Sequence, residues 1–264
     1  MAALVAVSDR SADADVPSTM SDGIAQSFDV LAWDSDAFGF GVARIRDSVR
    51  SAQAFSAVLG GLRERHIRLA YFSCPWTDAA ARTVAVEHGG RLVDRKVTYA
   101  AACSDIVTGA PAAGVTVRQF TGSEPDEALI RLARLSGEYS RFRVDPDVEP
   151  RVFEYIFESW IRNSVTAKIA DVVYVAQLDD ALVGLVTVGR RADRGSIGLL
   201  AVDDRARRRG VGRALIEAAR GWTVARALPM AQVVTQGDNA AACALYASCG
   251  YEAEHIVAVY HCWL

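Results

Sequence analysis

The sequence predicts an α/β protein in which a mixed β-sheet carries helices on its faces. Strand-like and helix-like apolar patterns alternate along the chain from Phe28 onward, which is typical of this class. Apolar residues make up 51% and charged residues 23%, a composition typical of a globular domain. A glycine pair also lies where a strand runs into a helix, near residue 210. The length of 264 residues allows one or two domains.

Composition divides the chain into four predicted segments. Residues 1–26 are rich in Ala, Ser and Asp without an apolar period, which predicts a mobile tail. Residues 27–104 predict an N-terminal α/β module. Residues 105–114 contain Gly, Pro and small side chains and predict a linker. Residues 115–264 predict a second α/β module.

Each module is predicted element by element from its apolar period. In the first module we expect strands at 28–33, 41–46, 67–73 and 91–103 and helices at 52–65 and 78–87. In the second module we expect strands at 115–118, 172–178, 181–189, 196–202, 231–235 and 256–263, helices at 124–139, 152–163, 210–225 and 240–249, and a polar loop at 140–150. Asp179 and Asp180 predict a tight hairpin turn.

Two parts of the chain share one order of elements. If Gly89 is set beside Gly250, a strand, an Ala-rich helix, a glycine and a second strand follow each other in both parts. Asp78 then corresponds to Asn239. The hypothesis is that the N-terminal module is a half-copy of the second module without its binding groups. Common α/β patterning is an equally good explanation.

Several classes of protein are disfavoured. No apolar stretch approaches the roughly 18 residues of a membrane span, and the first residues lack the basic flank of a secretory signal. The net charge of −3 argues against nucleic acid as the main partner. Five cysteines without a C-x-x-C pair predict reduced thiols and no metal site. We therefore expect a cytoplasmic protein, and a homodimer is an open alternative to a monomer.

The segment from Val202 to Leu215 is the most informative part of the sequence. Gly210 and Gly212 let the backbone approach a ligand closely at the start of a helix, where the first amides have no helical partner. The helix dipole makes this end a site for an anion such as a pyrophosphate. Arginines 205, 207, 208, 209 and 213 add positive charge. A solvated arginine loop is the alternative.

The pattern Arg207-x-x-Gly210-x-Gly212 resembles the pyrophosphate loop of the GNAT superfamily of acyl-CoA-dependent N-acetyltransferases. A second motif, from Asn239 to Tyr246, follows at the spacing that this superfamily shows. The resemblance implies acetyl-CoA as co-substrate and no metal. It assigns the co-substrate to Leu200, Ala201, Val202, Arg207, Arg208, Arg209, Gly210, Val211, Gly212, Arg213, Asn239, Ala242 and Tyr246.

The resemblance also implies a chemical course. A neutral primary amine attacks the thioester directly in a ternary complex, and a backbone N–H near Leu200–Val202 binds the developing oxyanion. Tyr246 is the expected general acid for the departing thiolate. The general base stays open among Glu138, Asp145 and His66.

Three further segments resemble one branch of the superfamily, the TDP-fucosamine (TDP-4-amino-4,6-dideoxygalactose) acetyltransferases. They are Trp33–Gly39, Ser140–Pro146 and Thr235–Gln236. The branch implies a nucleotide-linked amino-deoxysugar as acceptor. Its expected binding residues are Asp34, Phe38, Arg141, Phe142, Arg143 and Asp145. Arg143 alternatively pairs with Asp145 in a structured loop.

Other functions remain open at this stage. The acceptor could be another small amine, such as an aminoglycoside or a polyamine, or a protein lysine. From a different class, the chain could be a non-catalytic regulator that binds acetyl-CoA. Binding of nucleic acid through Arg205–Arg213 would instead require a basic face and a steep salt dependence.

Overall fold

The computed structural model describes residues 27–103 and 114–264, which form two compact units. The N-terminal unit comprises residues 27–96 and His255–Leu264, and the central unit comprises the described residues of Val97–Glu254. The predicted tail, 1–26, lies outside the described residues, as does the predicted linker except for Gly114. The predicted domain boundaries, 27–104 and 115–264, stay a prediction.

The N-terminal unit is built on a mixed sheet. Its strands are β1 (Phe28–Val30), β2 (Gly41–Ile45) and β3 (Ile67–Pro75), its helices are α1 (Ala32–Phe38), α2 (Ala52–Glu64) and α3 (Ala79–Glu87), and β4 (Arg91–Ala102) and β10 (Glu252–Trp263) have residues in both units. The strand order is β1-β2-β3-β10-β4. β2 and β3 are parallel, whereas β10 runs antiparallel to β3.

A cluster of buried apolar residues packs α2 against this sheet. Ser51 caps the helix because its hydroxyl accepts the Ala54 N–H at 3.1 Å. Phe55 and Leu62 are fully buried, and the Phe55 ring meets Phe72 of β3 edge-on at 5.0 Å between centroids. The period of the apolar residues in the sequence therefore predicted this helix correctly.

The strand expected at 28–33 is wrong beyond Val30, because α1 begins at Ala32. Ser35 explains the change of structure. Its hydroxyl donates to the Leu31 carbonyl at 2.8 Å and accepts the Val42 N–H at 2.9 Å, so it satisfies both the helix start and the following strand. Gly39, with φ of 78°, ends the helix in the left-handed conformation.

The strands of the central unit are also paired in a mixed arrangement. Its strands are β5 (Val115–Gln119), β6 (Val172–Leu178), β7 (Ala181–Arg191), β8 (Arg194–Val202) and β9 (Met230–Gln236), and its helices are α4 (Glu127–Ser136), α5 (Arg141–Val144), α6 (Pro150–Val165), α7 (Val211–Val224) and α8 (Ala240–Ser248). The strand order is β4-β9-β8-β7-β6-β5. β5 to β8 pair antiparallel, and β8 pairs parallel with β9.

Local sequence signals account for two features of this unit. Asp179 and Asp180 have φ of 51° and 62°, as a two-residue hairpin turn requires, and this confirms the predicted turn between β6 and β7. The loop expected at 140–150 contains the short helix α5, which the polar composition did not predict. α5 forms because the buried Phe142 packs edge-on against Trp160 of α6.

The two segments with a shared order of elements also share local geometry. Asp78 and Asn239 cap α3 and α8 with φ of −82° in both and ψ of 80° and 72°. The cap oxygen accepts the N–H three residues later at 3.0 Å and 3.1 Å. After the helix, Gly89 and Gly250 have φ of 83° and 80°. Each segment thus turns from strand to helix and back in the same way.

Within residues 27–103 and 114–264, no helix has the length and apolar character needed to cross a membrane.

We expect Asp78→Ala and Asn239→Ala each to lower the free energy of unfolding by about 1 kcal/mol, because each change removes the acceptor that caps a helix. Urea unfolding followed by circular dichroism measures the loss. Thr77→Ala is the control, since Thr77 is exposed, caps neither helix and should change stability by less than about 0.5 kcal/mol. An equal loss in all three variants would contradict the capping role.

Candidate functional site

The predicted anion loop connects β8 to α7. After Asp203 the chain makes one turn of 3-10 helix, Asp204–Ala206, and reaches Gly210, whose φ of 79° is left-handed. Gly210 takes the N-cap position of α7, so the first N–H groups of the helix have no acceptor within it. Arg208 is also left-handed, with φ of 61°, a strained conformation for a residue with a side chain. The loop therefore presents backbone N–H groups at the positive end of a helix.

Asp203 anchors this loop. Its side chain is buried, and its carboxylate accepts the Arg205 backbone N–H at 3.1 Å and the Arg205 guanidinium at 3.2 Å. Arg131 of α4 reaches the same carboxylate at 2.8 Å. These hydrogen bonds, first from Arg205 and then from Arg131, hold the pKa of Asp203 well below its usual range in spite of burial. The sequence analysis did not single out this residue.

The other arginines of the loop differ in their partners. Arg207 pairs with Asp204 at 2.5 Å, and Arg209 lies 4.0 Å from Asp179. Arg213 donates to the Ser248 carbonyl at 3.0 Å. Arg208 is exposed and forms no ion pair with any residue that the structure describes. Much of the positive charge in the run is thus already balanced within the central unit.

The sheet opens beside the loop. β8 and β9 pair from Arg194–Ile197 opposite Met230–Val233, and no further register pair joins them among the described residues. β8 nevertheless continues to Val202, and β9 continues to Gln236. On its other edge β8 remains paired with β7, from Leu200 opposite Val186 to Val202 opposite Gly184. Leu200 to Val202, the expected oxyanion donors, therefore lie on a stretch of β8 that is paired with β7 on one edge. The other edge of this stretch is not paired with β9.

α8 supplies the second predicted motif. Asn239 caps the helix, because its side-chain oxygen accepts the Ala242 N–H at 3.1 Å. Tyr246 is 4% exposed, and its ring lies 5.9 Å from that of Tyr99 and 6.1 Å from that of Tyr251. Burial raises the pKa of Tyr246, so the phenol keeps its proton at neutral pH. Tyr246 thus has the protonation state that a general acid needs.

Sequence reasoning missed Tyr99. Its ring stands next to Tyr246, and its partial burial and the neighbouring Cys243 thiol raise its pKa. Tyr99 lies on β4, which the sequence analysis assigned to the N-terminal module and so kept apart from the motifs around residue 240. No local pattern in the sequence pairs β4 with β9, so no signal in the sequence could have found this contact.

Two of the expected acceptor residues lie in the N-terminal unit. Asp34 is buried in the first turn of α1 and accepts a hydrogen bond from the Tyr71 hydroxyl at 3.2 Å. Phe38 is buried at the other end of the helix, where its ring meets Phe40 edge-on at 5.4 Å between centroids. The Tyr71 ring in turn stacks on His261 of β10 at 4.9 Å. The carboxylate of Asp34 is therefore part of a buried polar cluster.

The remaining expected acceptor residues lie on or next to α5 in the central unit. The guanidinium of Arg141 stands 4.6 Å from the Phe142 ring centroid, and that of Arg143 stands 5.6 Å from the Phe153 centroid. Asp145 is buried and accepts the Asp147 N–H at 3.2 Å. The alternative of an ion pair between Arg143 and Asp145 stays a prediction.

Two other expectations concern cysteine and metal. The five cysteines are all free thiols, as predicted. Among the residues in the described ranges, no group of three or more His, Cys, Asp or Glu side chains could hold a metal ion.

Comparison with known proteins agrees with this geometry. Residues 132–251 match the model of the acetyltransferase (GNAT) family. The solved structure of a GCN5-related N-acetyltransferase from Sphaerobacter thermophilus aligns with a TM-score of 0.60 and 16% identity, covering 89% of this chain and 75% of that one. A GCN5-related N-acetyltransferase from Kribbella flavida aligns with a TM-score of 0.56 and 17% identity over 91% of both chains.

A curated relative is the streptothricin acetyltransferase of Escherichia coli, which is 38% identical over 79 residues. The match covers 30% of this chain and 45% of the relative, so this chain spans less than half the length of that relative. The fold is therefore that of GNAT acetyltransferases, and residues 132–251 are similar to the GNAT family.

We expect Asp203→Asn to lower the free energy of unfolding at pH 7 by about 1.5–3 kcal/mol, because hydrogen bonds to a charged acceptor are lost. The folded pKa of Asp203 lies below the unfolded value of about 3.9, so its stabilisation is present above that pH and is lost as the pH falls through the folded pKa. Urea unfolding from pH 7 down to pH 3 should show the difference from the parent protein shrinking.

Asp204→Asn is the matched control for this change. Asp204 is 69% exposed and pairs with Arg207 at the surface, so its loss should cost less than about 0.5 kcal/mol. Equal losses for Asp203→Asn and Asp204→Asn, or a difference that does not depend on pH, would remove Asp203 as the anchor.

Proposed function

We propose that this protein is an acetyl-CoA-dependent N-acetyltransferase that acts on the primary amine of a small acceptor. One observation carries the proposal: a short loop leads from the part of β8 that is not paired with β9 to the start of α7, where Gly210 is the N-cap. A helix N-terminus binds the pyrophosphate, and a strand edge without a neighbour can accept an extended pantetheine arm. The match of residues 132–251 to the GNAT family supports the same reading.

The residues present fit such a co-substrate. A side chain at Gly212 would come within 2.9 Å of the Leu245 side chain, and the φ of Gly210 favours glycine, so the backbone itself forms the cradle. The N–H groups of Val211 to Arg213 would hold the pyrophosphate. The free edge of Leu200–Val202 would pair with pantetheine, and Asn239 and Ala242 would flank it from α8.

When bound, acetyl-CoA supplies an activated acetyl thioester. A backbone N–H between Leu200 and Val202 then stabilises the negative charge that develops on the carbonyl oxygen, a contribution of roughly 3–4 kcal/mol. Tyr246 holds the proton that the departing sulfur needs. The attacking amine arrives neutral, and Glu138, Asp145 and His66 remain the candidates for taking its second proton.

We further propose a nucleotide-linked amino-deoxysugar as the acceptor, with Arg141, Phe142, Arg143 and Asp145 of the central unit as its binding residues. Asp34 and Phe38 of the N-terminal unit stay predictions from the sequence. Arg141 and Arg143 support this choice, because guanidinium groups bind diphosphates through paired hydrogen bonds. The similarity to streptothricin acetyltransferase favours a second candidate, a different small amine. The proposed setting is the cytoplasm, in keeping with five free thiols.

A turnover assay with several amines separates these candidates. Release of free CoA thiol from acetyl-CoA would be followed with amino-sugar nucleotides, streptothricin, a polyamine and a lysine peptide. Highest kcat/KM with an amino-sugar nucleotide supports the first acceptor, and highest kcat/KM with streptothricin supports the second. Tight binding of acetyl-CoA without turnover of any amine would instead indicate a non-catalytic regulator.

We expect Gly210→Asp to weaken CoA binding at least about 100-fold, because a carboxylate would occupy the phosphate cradle at the helix start. The fold should persist, since Asp tolerates the left-handed region and is a good N-cap. Calorimetric titration with CoA measures the affinity. Gly221→Asp is the control: it adds the same charge to the exposed side of α7, where a Cβ would meet no atom within 4 Å. Equal affinities for Gly210→Asp and the parent protein would refute the cofactor site.

We expect Tyr246→Phe to lower kcat by about 10²–10⁴, the usual contribution of a general acid, with little change in the Kd of acetyl-CoA. Tyr251→Phe is the matched control. Tyr251 is equally buried in the same cluster, and its hydroxyl has no hydrogen-bond partner among the described residues, so its removal should leave kcat and Tm nearly unchanged. If the two variants lose activity equally, or if Tyr246→Phe keeps full kcat, Tyr246 is not the acid.

A further inference from the structure

A β-bulge lies in β8 just before its free edge. The pairing of β7 with β8 runs from Gly184 opposite Val202 to Val186 opposite Leu200 and resumes at Val188 opposite Ile197. Thr187 thus faces two residues of β8, Gly198 and Leu199. In a bulge of this kind the ladder is locally broken, and one N–H needs another acceptor.

The side chain of Thr187 provides that acceptor. Its hydroxyl oxygen accepts the Leu199 N–H at 2.8 Å, and the residue is only 2% exposed. A backbone donor buried at this position is therefore satisfied by a side chain instead of a strand partner. The hydrogen bond stabilises the bulged register over a regular one.

Gly198 makes room for this contact. A Cβ on Gly198 would lie 2.7 Å from the Thr187 hydroxyl oxygen, closer than Cβ atoms approach in real proteins. The Thr187 hydroxyl therefore occupies the space that a side chain at position 198 would need. Any larger residue at position 198 would displace the hydroxyl from the bulge.

The bulge coincides with the place where the sheet opens. Pairing of β8 with β9 ends at Ile197, directly before the bulge, and the proposed donors Leu200–Val202 begin directly after it. A bulge bends its strand and increases the local twist, so it re-aims the residues that follow. Without it, a shift of register by one residue would turn those residues to the opposite face of the sheet.

We propose that Thr187 is a positioning residue for the transfer reaction: its hydroxyl holds the bulge that directs the backbone of Leu200–Val202 toward the acyl-CoA. The inference rests on the proposed function, because it assigns a task to Thr187 only if that strand edge binds the co-substrate. Thr187 itself touches no substrate. It acts through the Leu199 amide.

The test compares Thr187→Val with Thr187→Ser. Valine keeps the shape and removes the acceptor, whereas serine keeps the hydroxyl. We expect Thr187→Val to raise the Kd of CoA about 10-fold and to lower kcat by up to about 100-fold, as small misplacements of reacting groups do. Hydrogen exchange of the Leu199 amide should accelerate in the same variant. Thr187→Ser should stay close to the parent protein in all three measurements.

Thr223→Val is the matched control. Thr223 is equally buried and covers another glycine of β8, Gly195, where a Cβ would collide with it. Its hydroxyl donates to the Ala219 carbonyl at 2.9 Å, within α7 and beside the paired part of the strand. This variant should lower Tm without changing the Kd of CoA or the exchange of Leu199. If Thr187→Val is too unstable to study, Gly198→Ala displaces the hydroxyl from the other strand and should reproduce the losses.

The possible results distinguish failure of the Thr187 positioning role from failure of the proposed function. If the parent protein binds CoA and Thr187→Val or Gly198→Ala binds it as well as Thr223→Val does, the positioning role is overturned while the proposed function stands. If exchange of the Leu199 amide is unchanged in those variants, the bulge does not depend on Thr187, and the role fails again. If the parent protein does not bind CoA, the proposed function fails, and the role of Thr187 fails with it.

Discussion

The end of the parallel pairing between β8 and β9 is the constraint on which the candidate site depends. Backbone N–H and C=O groups in a sheet need partners, and here the ladder stops at Ile197 opposite Val233 while both strands continue. The separated edge creates a place for an extended ligand, and the glycine loop that follows supplies amides for its charged end. Both elements lie in the central unit, so one stretch of chain supplies both parts of the proposed acetyl-CoA site.

The charged side chains of the loop between β8 and α7 stabilise its structure. Asp203 and Asp204 pair with Arg205, Arg131 and Arg207, which fixes the path of the backbone from β8 to α7. Because these arginines are paired with carboxylates, they add little net positive charge to the loop. The chain as a whole is acidic, with a net charge of −3, so the proposed anion binding would depend on the local geometry of a helix start.

The two segments with matching caps show how one local geometry carries different chemistry. Asp78 and Asn239 cap their helices with nearly equal dihedral angles, yet a carboxylate would repel a phosphate-bearing ligand that an amide can accept. Two turns later α3 carries Ala85 where α8 carries Tyr246. The strand, helix and glycine turn of the first segment therefore build a core, while the second segment adds polar groups to the same framework.

The sequence by itself determined the features that depend on neighbouring residues: the helices α3 and α8, the hairpin at Asp179–Asp180, and the glycine loop before α7. Local dihedral preferences and the helical period fix these features over a few residues. Only the tertiary structure decided the helix after Val30, the ring of Tyr99 beside Tyr246, and the bulge held by Thr187. These depend on contacts between residues far apart in the chain, such as Ser35 with Val42 or Thr187 with Leu199, and such contacts leave no periodic signal in a single sequence.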